Sequence, residues 1–177
     1  RPMAQFGQSS NMDQRARATS ARIFGLMDEP QRVTEEDDAP DLEVGSGDVT
    51  YDDVTFGYSD EETIVENVDF TVEGGETVAL VGPTGAGKST VLKLLMRMYD
   101  VDEGAIRVDG QNIDEVTLRS LRQAMGYVSQ DTFLFYGTVE ENIAYGTFDA
   151  SREAVIEAAK MAEAHAFIEN LPDGYDT

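Results

Sequence analysis

The chain has 177 residues, about the length of one domain, with 41% hydrophobic residues, 13 basic residues, 35 acidic residues and a formal net charge of −22. It contains no Cys and one His, which excludes disulfides, thiolate metal sites, Cys nucleophiles and metal clusters built from histidines. Because phosphate backbones are bound by clustered Lys and Arg, this charge balance argues against a nucleic-acid partner.

The acidic residues other than Asp13 are spread along the chain from Asp28 to Asp176 rather than collected in one block. Like charges at this density strain a compact state in dilute buffer, whereas molar salt shortens the Debye length to about 3 Å and screens them. The composition therefore favours a protein from a salt-accumulating halophile. An ordinary acidic cytoplasmic protein and an acidic surface for a basic partner are the alternatives.

The first 47 residues are predicted to form a helix followed by a linker. Apolar residues at helical spacing predict a helix over 11–27 that ends before Pro30. Residues 28–47 carry two Pro, a Gly-Ser-Gly sequence and little apolar content, so we expect an acidic linker that is mobile or lies on the surface. The start of the chain lacks the apolar region of a signal peptide, and the longest apolar runs are far below the roughly 20 residues of a membrane span.

The rest of the chain alternates between strand and helix patterns. Strands are predicted at 49–56 with a register shift at Asp52-Asp53, at 64–72, at 76–81, at 105–108 in a hairpin, and at 125–128. Helices are predicted at 90–98 and 117–123, after the N-cap Thr138 with Glu141 in capping-box spacing, and from the N-cap Ser151 through Ala164. The run 78–81 is continuously apolar, which is typical of a strand covered on both faces.

Residues 82–90 contain the pattern G-x-x-x-x-G-K-[ST] without a mismatch, after an apolar strand and before a helix. Successive backbone N–H groups in such a loop converge on phosphate oxygens, and glycines allow positive φ and close approach. The helix adds unpaired N–H groups and its dipole, Lys88 reaches the β- and γ-phosphates, and the Ser89 hydroxyl can ligate Mg²⁺. The loop predicts phosphate binding, but it does not by itself distinguish an ATPase, a GTPase and a small-molecule kinase.

The segments around the loop narrow this choice. VTFGY at 54–58, IVENVDF at 64–70 and GYVSQD at 126–131 resemble the ATP-binding cassette of ABC transporters. FLFYGTVEENI at 133–143 is similar to the exporter branch of that family, and LPDGYDT at 171–177 resembles the stretch before its signature motif. Residues 11–30 resemble the helix that leads from the last membrane span into the cassette.

The resemblance implies an α/β fold. It consists of a P-loop NTPase core with an incomplete sheet, a small antiparallel β subdomain made by 48–75 and 104–113, and an N-terminal helix. The implied domains are a connector helix from an absent transmembrane domain at 1–28, an acidic linker at 29–47, and a partial nucleotide-binding domain at 48–177. The signature motif, Walker B and the catalytic Glu lie downstream in this family, so we expect no catalytic residue within the chain beyond assistance from Lys88 and Gln130.

The resemblance also implies ATP and Mg²⁺ as cofactors, bound by Tyr58, Val65, Gly82, Thr84, Gly85, Ala86, Gly87, Lys88, Ser89, Thr90 and Gln130. Tyr58 would stack on adenine, a contact worth roughly 1–3 kcal/mol for a planar base on an aromatic ring. Ser89 and Gln130 would contact Mg²⁺. The alternatives are a Tyr58 ring that lies in the core and a Gln130 that belongs to an ordinary turn.

Several partners follow from the same resemblance. Phe133, Phe135 and Tyr136 would receive coupling helices of the membrane domains, with simple core packing as the alternative. A second nucleotide-binding domain, identical or not, would complete a dimer at the cytoplasmic face of the cell membrane. His165 precedes the segment where the family has its switch His, so a surface or capping role is expected for it.

The implied function is ATP binding by the cassette of an exporter that, at full length, couples ATP hydrolysis to transport. The 177-residue chain alone is predicted to be inactive. A cassette of a soluble protein serving translation or repair and a non-catalytic nucleotide-binding module are the alternatives. The transported substrate is chosen by the membrane domain and is not encoded in these residues.

Overall fold

The structure is a computed structural model that describes residues 33–59, 61–147 and 149–177, together with Ser20 and Phe24. It divides into two compact units, residues 1–126 and residues 127–177, each with its own hydrophobic core. The predicted helix over 11–27, the connector at 1–28 and the first part of the linker lie outside the described residues, apart from those two positions.

A four-stranded antiparallel sheet forms the framework of the first unit. Its strands are β1 (Val49–Ser59), β2 (Glu62–Val72), β3 (Glu103–Val108) and β4 (Gln111–Asn112), in the order β2-β1-β3-β4. Val49 pairs with Val72 on one side and with Val108 on the other. This confirms the small antiparallel subdomain, although the segments predicted as short strands near 49–56 form one strand of 11 residues.

The predicted register shift in β1 is confirmed as a β-bulge. The pairing of β1 with β2 shifts between Tyr51 and Val54, and Asp53 between them has φ 48°. An extra residue at this point changes the alternation of side chains. Tyr51, Val54 and Phe56 therefore all face the core, although strict alternation from Tyr51 would turn both Val54 and Phe56 outward.

Two helices accompany the sheet in the first unit: α1 (Lys88–Leu95) and α2 (Leu118–Gln123). Helix α1 begins two residues before and ends three residues before the predicted 90–98, and it buries Val91 and Leu94. The Tyr51 hydroxyl donates to the Val91 carbonyl at 2.9 Å, which ties β1 to α1. The shared core comprises Tyr51, Val54, Phe56, Val65, Val91, Leu94, Ile106, Val108, Ile113, Val116 and Leu121.

The described part of the linker follows the surface of the first unit. The buried guanidinium of Arg97 donates to the Thr34 carbonyl at 2.7 Å, and the Leu42 N–H donates to the Ser120 hydroxyl at 2.8 Å. Further along, the Asp109 carboxylate accepts from the backbone N–H of Gly45 and its neighbours. These contacts come from three separate places in the sequence, so the linker runs along a fixed path.

The second unit is helical: α3 (Val139–Ile143), a 3-10 turn (Ala144–Gly146), α4 (Arg152–Met161), α5 (His165–Glu169) and a 3-10 turn (Gly174–Asp176). Both predicted N-caps are confirmed: Thr138 and Glu141 form a complete capping box, and the Ser151 hydroxyl accepts from the Ala154 N–H. Helix α4 ends three residues before the predicted Ala164. The small core consists of Val155, Ala159, Ile168 and Tyr175.

Two predicted core strands are wrong, because residues 76–81 and 125–128 form no strand. A strand is stable only when its N–H and C=O groups pair with a neighbouring strand. Among the described residues neither segment has such a neighbour. Val81 and Val128 are accordingly 92% and 95% exposed, although their sequence is that of buried strands. The described residues thus form the antiparallel part of the predicted fold and not its parallel sheet.

None of the helices in the described ranges has the length and apolar character needed to cross a lipid bilayer.

Candidate nucleotide-binding site

The glycine loop enters α1 through two residues in the left-handed region, Gly85 at φ 87° and Gly87 at φ 77°. A Cβ placed on Gly87 would lie 2.6 Å from Val65 Cγ1, so the loop backbone passes directly over Val65 of β2. Only glycine satisfies both the φ angle and the close approach at this position. Val65, which the resemblance placed in the nucleotide set, lies buried against this part of the loop.

The first turn of α1 is open to an anion. Gly87 occupies the N-cap without a side-chain hydrogen bond, and no acidic residue lies in the first turn. The leading N–H groups of a helix lack partners within the helix, and the dipole places partial positive charge there. In a chain with 35 acidic residues, this end of the helix is free of competing carboxylates in its first turn.

Lys88 supplies the positive charge of the loop. Its ammonium donates to the carbonyl oxygens of Gly82 at 2.8 Å and Pro83 at 2.7 Å, so the side chain folds back over the loop. It is the only basic residue between Arg32 and Lys93 in the sequence. An arriving phosphate would replace these two neutral acceptors with charged oxygens, which form the stronger hydrogen bonds.

Ser89 and Thr90, the next two residues, differ in exposure. Ser89 is exposed in the first turn of α1, whereas Thr90 is buried and its hydroxyl lies 3.2 Å from the Tyr58 hydroxyl. This hydrogen bond joins the end of β1 to the beginning of α1. The structure thus brings Tyr58 and the glycine loop together within the first unit.

The Tyr58 ring is not a core residue, because 39% of its surface is exposed. The ring meets Phe56 with 5.1 Å between centroids at 86°, and Tyr99 with 5.2 Å at 80°. The Lys93 ammonium lies over the ring, 5.8 Å from its centroid. A wide cavity of about 790 Å³ opens beside Tyr58 and Tyr99, bordered by Asp100 and Asp102.

Gln130 belongs to the second unit, where it is exposed just after the segment 125–128. In the same unit Phe133 is 75% exposed and Tyr136 is fully exposed, so neither is packed in a core. Phe135 stacks on Tyr145 with 3.8 Å between ring centroids, and its backbone N–H donates to the Asn142 side chain at 2.8 Å. These rings form an exposed aromatic patch on the second unit.

His165 is the first residue of α5 and is half-buried. Its Nδ1 lies 2.9 Å from the Tyr175 hydroxyl, and its Nε2 lies 3.5 Å from a carboxylate oxygen of Glu169. The N-cap of this helix is Ala164, so His165 does not cap it.

Sequence reasoning missed Tyr99, whose ring touches both Phe56 and Tyr58. No motif marks this residue, and its partners lie about 40 positions earlier in the sequence. The contact joins the segment after α1 to the end of β1, and a local sequence pattern does not predict it.

Residues 65–175 match the ABC transporter family. The chain is 48% identical over 155 residues to an uncharacterized ABC transporter ATP-binding protein of Sinorhizobium fredii, covering 88% of this chain and 26% of that protein. It is 45% identical over 156 residues to the mitochondrial iron-sulfur clusters transporter atm1 of Aspergillus fumigatus, covering 88% of this chain and 22% of that protein.

Among solved structures, that of a bacterial Atm1-family ABC exporter with ATP bound superposes with a TM-score of 0.85 at 47% identity. The match covers 93% of this chain and 29% of that one. The chain thus spans less than a third of the length of these relatives. The predicted resemblance is confirmed, and the chain belongs to the ABC transporter family as a nucleotide-binding-domain sequence of the exporter type.

Proposed function

We propose that the chain binds ATP together with Mg²⁺ and that the full-length protein couples ATP hydrolysis to transport across a membrane. The main support for this proposal is the glycine loop that passes over Val65. The loop places Lys88 at the uncapped N-terminus of α1. The relatives named as transporters, and the similar exporter structure with ATP bound, support the same function.

The phosphate chemistry follows from the loop itself. Phosphoryl transfer depends on positioning and on charge stabilisation, so the protein needs donors that are already oriented. The N–H groups of the first turn of α1 and the Lys88 ammonium would hold the β- and γ-phosphates. Gly82, Thr84, Gly85, Ala86 and Gly87 would contribute backbone groups of the same loop.

Ser89 and Gln130 are the proposed Mg²⁺ contacts. Mg²⁺ takes oxygen ligands and commonly fills most of its octahedral shell with phosphate oxygens and water. An exposed hydroxyl in the first turn of α1 and an exposed amide oxygen fit that chemistry. Thr90 would contact the nucleotide from the second position of the helix, and Tyr58 would stack on the base.

The proposed partners are a second nucleotide-binding domain and the coupling helices of membrane domains. The exposed aromatic patch of Phe133, Phe135 and Tyr136 supports the second of these, because exposed apolar clusters mark contact surfaces. The proposed location is the cytoplasmic face of the cell membrane.

The direct test is ATP titration calorimetry on the full-length protein with Lys88→Ala. We expect the Kd for ATP to rise at least about tenfold, since a charge-assisted hydrogen bond is worth roughly 1.5–3 kcal/mol. Lys160→Ala serves as the matched control, because Lys160 is exposed and pairs with Glu157 in the second unit. Equal ATP affinity in Lys88→Ala and the control would refute the assignment of the loop.

We further propose that the 177-residue chain alone does not hydrolyse ATP. The family resemblance implies a catalytic Glu after a Walker B strand, so Lys88, Ser89 and Gln130 alone would assist without supplying that carboxylate. Phosphate release from the purified chain in high KCl with Mg²⁺ should equal that of a Lys88→Ala blank. Turnover that disappears in the blank would show that a catalytic carboxylate lies among these residues.

A further inference from the structure

We infer that Tyr99 is a positioning residue for base recognition, because it fixes the orientation of the Tyr58 ring. The inference rests on the proposed stacking of Tyr58 on adenine and adds a residue that no sequence motif marks. The rings of Phe56, Tyr58 and Tyr99 contact one another and form an aromatic triad.

Three contacts hold the Tyr58 ring in the described structure. Phe56 and Tyr99 each meet it nearly at right angles, at 86° and 80°, with centroids 5.1 Å and 5.2 Å away. The hydroxyl at the far end of the ring lies 3.2 Å from the Thr90 hydroxyl. Because perpendicular ring pairs are a favoured aromatic geometry, Phe56 and Tyr99 resist rotation of the Tyr58 ring.

Tyr99 is itself held from two sides. Its ring lies 5.5 Å from Phe56, which is buried in β1, and this contact closes the aromatic triad. Arg97, two residues earlier, is 3% exposed and donates to the Asp100 carboxylate at 2.9 Å and to the Ile113 carbonyl at 3.2 Å. The backbone that carries Tyr99 is therefore pinned between Arg97 and Asp100.

Tyr58 keeps 39% of its surface exposed beside the cavity, and we propose that the base stacks on this exposed part of the ring. Lys93 lies over the ring with its ammonium 5.8 Å from the centroid, a cation–π arrangement that engages one face. A base stacked on a ring already fixed in orientation avoids the entropy cost of ordering that ring on binding. Loss of Tyr99 should therefore weaken the part of the affinity that depends on the base and leave the phosphate part unchanged.

The experiment compares ATP with inorganic tripolyphosphate, which has no base, as calorimetric ligands of the full-length protein. Tyr99→Leu should raise the Kd for ATP about two- to tenfold, as expected for one aromatic pair, and leave the Kd for tripolyphosphate unchanged. Tyr99→Phe keeps the ring and should match the wild type on both ligands. Phe167→Leu removes an exposed ring of the second unit that has no proposed role and should also change neither Kd.

Two results would overturn the inference: an unchanged ATP Kd in Tyr99→Leu, or an equal loss of affinity for ATP and tripolyphosphate. If Tyr99→Leu does not fold, Tyr99→Met is judged by the same criteria. Tyr58→Ala separates this inference from the proposed function. Unchanged ATP affinity in Tyr58→Ala would refute base stacking itself, whereas a loss there without a loss in Tyr99→Leu would refute only the role of Tyr99.

Discussion

Asp109 shows how a single carboxylate holds the linker on the sheet. It accepts hydrogen bonds from the Ser46 hydroxyl at 2.8 Å and from the backbone N–H groups of Gly45, Asp48 and Gly47 at 2.8–3.0 Å. Donors that point at a carboxylate stabilise its charged form. These hydrogen bonds hold the pKa of Asp109 well below its ordinary value, and the bond from the Ser46 hydroxyl has the largest effect.

The lowered pKa predicts how stability depends on pH. Because the folded pKa lies below the unfolded value of about 3.9, the contribution of Asp109 is fully present above that value and is lost as the pH falls toward the folded pKa. Asp109→Asn should therefore destabilise the protein at pH 7, and its difference from the wild type should shrink below about pH 4. Urea unfolding across this range measures the effect, with Asp114→Asn as an exposed control. A difference that stays constant down to about pH 2 would contradict the explanation.

At the scale of elements, the bulge of β1 depends on a glycine in the neighbouring strand. Gly104 in β3 has φ 83°, and a Cβ there would overlap the carbonyl oxygens of Asp52 and Asp53. The bulge thus brings backbone to within a distance that leaves no room for a side chain. Because the bulge also turns Val54 into the core, the close approach at Gly104 and the packing of β1 depend on each other.

Gly104→Ala is predicted to destabilise the protein more than Gly110→Ala does. Both glycines have positive φ, 83° and 80°, but a Cβ at Gly110 would meet no atom within 4 Å. Gly110→Ala should lower the free energy of unfolding by about 1 kcal/mol, because alanine is strained at this positive φ. Gly104→Ala should lower it by about 2 kcal/mol or more, because its Cβ would also overlap the backbone of β1. Chemical denaturation of the two variants gives the comparison, and equal losses would show that the bulge yields freely.

The glycine loop and α1 illustrate how an element is shaped for a ligand. A helix end is normally satisfied by a capping side chain, as Thr138 does for α3 and Ser151 does for α4. Helix α1 alone among the three begins at a glycine with no side-chain cap, and its first residue is Lys88. The unsatisfied N–H groups therefore remain for the phosphates that we propose it binds.

On the scale of the whole molecule, charge is the dominant feature, with 35 acidic residues against 13 basic ones. In the part of the chain that the structure describes, few acids have close basic partners of the kind that Arg152 offers to Glu140 at 2.6 Å and Asp176 at 3.0 Å. The comparisons do not support the hypothesis of a halophilic source, which stays a prediction from composition. The hypothesis of a halophilic source is tested by varying the salt concentration rather than by a mutation.

We expect the melting temperature of the full-length cassette domain to rise steeply between dilute buffer and molar KCl. Most like-charge pairs lie farther apart than the screening length of about 3 Å at 1 M, so salt removes most of their repulsion. Thermal unfolding followed by circular dichroism measures this, with sucrose as an uncharged control for solvent effects other than screening. A melting temperature that is flat or falls with KCl would remove the hypothesis and leave the acidity unexplained.

The local predictions were the most successful. The hairpin predicted at 105–108, the helix starts predicted at Thr138 and Ser151, and the register shift predicted at Asp52-Asp53 are all confirmed. Each rests on residues within a few positions of one another, whose conformational preferences act in any fold. The strands predicted at 76–81 and 125–128 are wrong. An apolar run indicates that a segment can form a strand, but it does not indicate that a neighbouring strand is present to pair with it.

The sequence by itself determined the phosphate loop, the turns, the helix caps and the family. Each of these features depends on residues that are close together in the sequence, as in the loop from Gly82 to Ser89. Only the tertiary structure decided that β1 is continuous through its bulge, that Arg97 pins the linker at Thr34, and that Tyr99 reaches Tyr58. These features join residues far apart in the chain. Which residues meet in this way depends on how the side chains of the whole unit pack together, and a local sequence pattern does not contain that information.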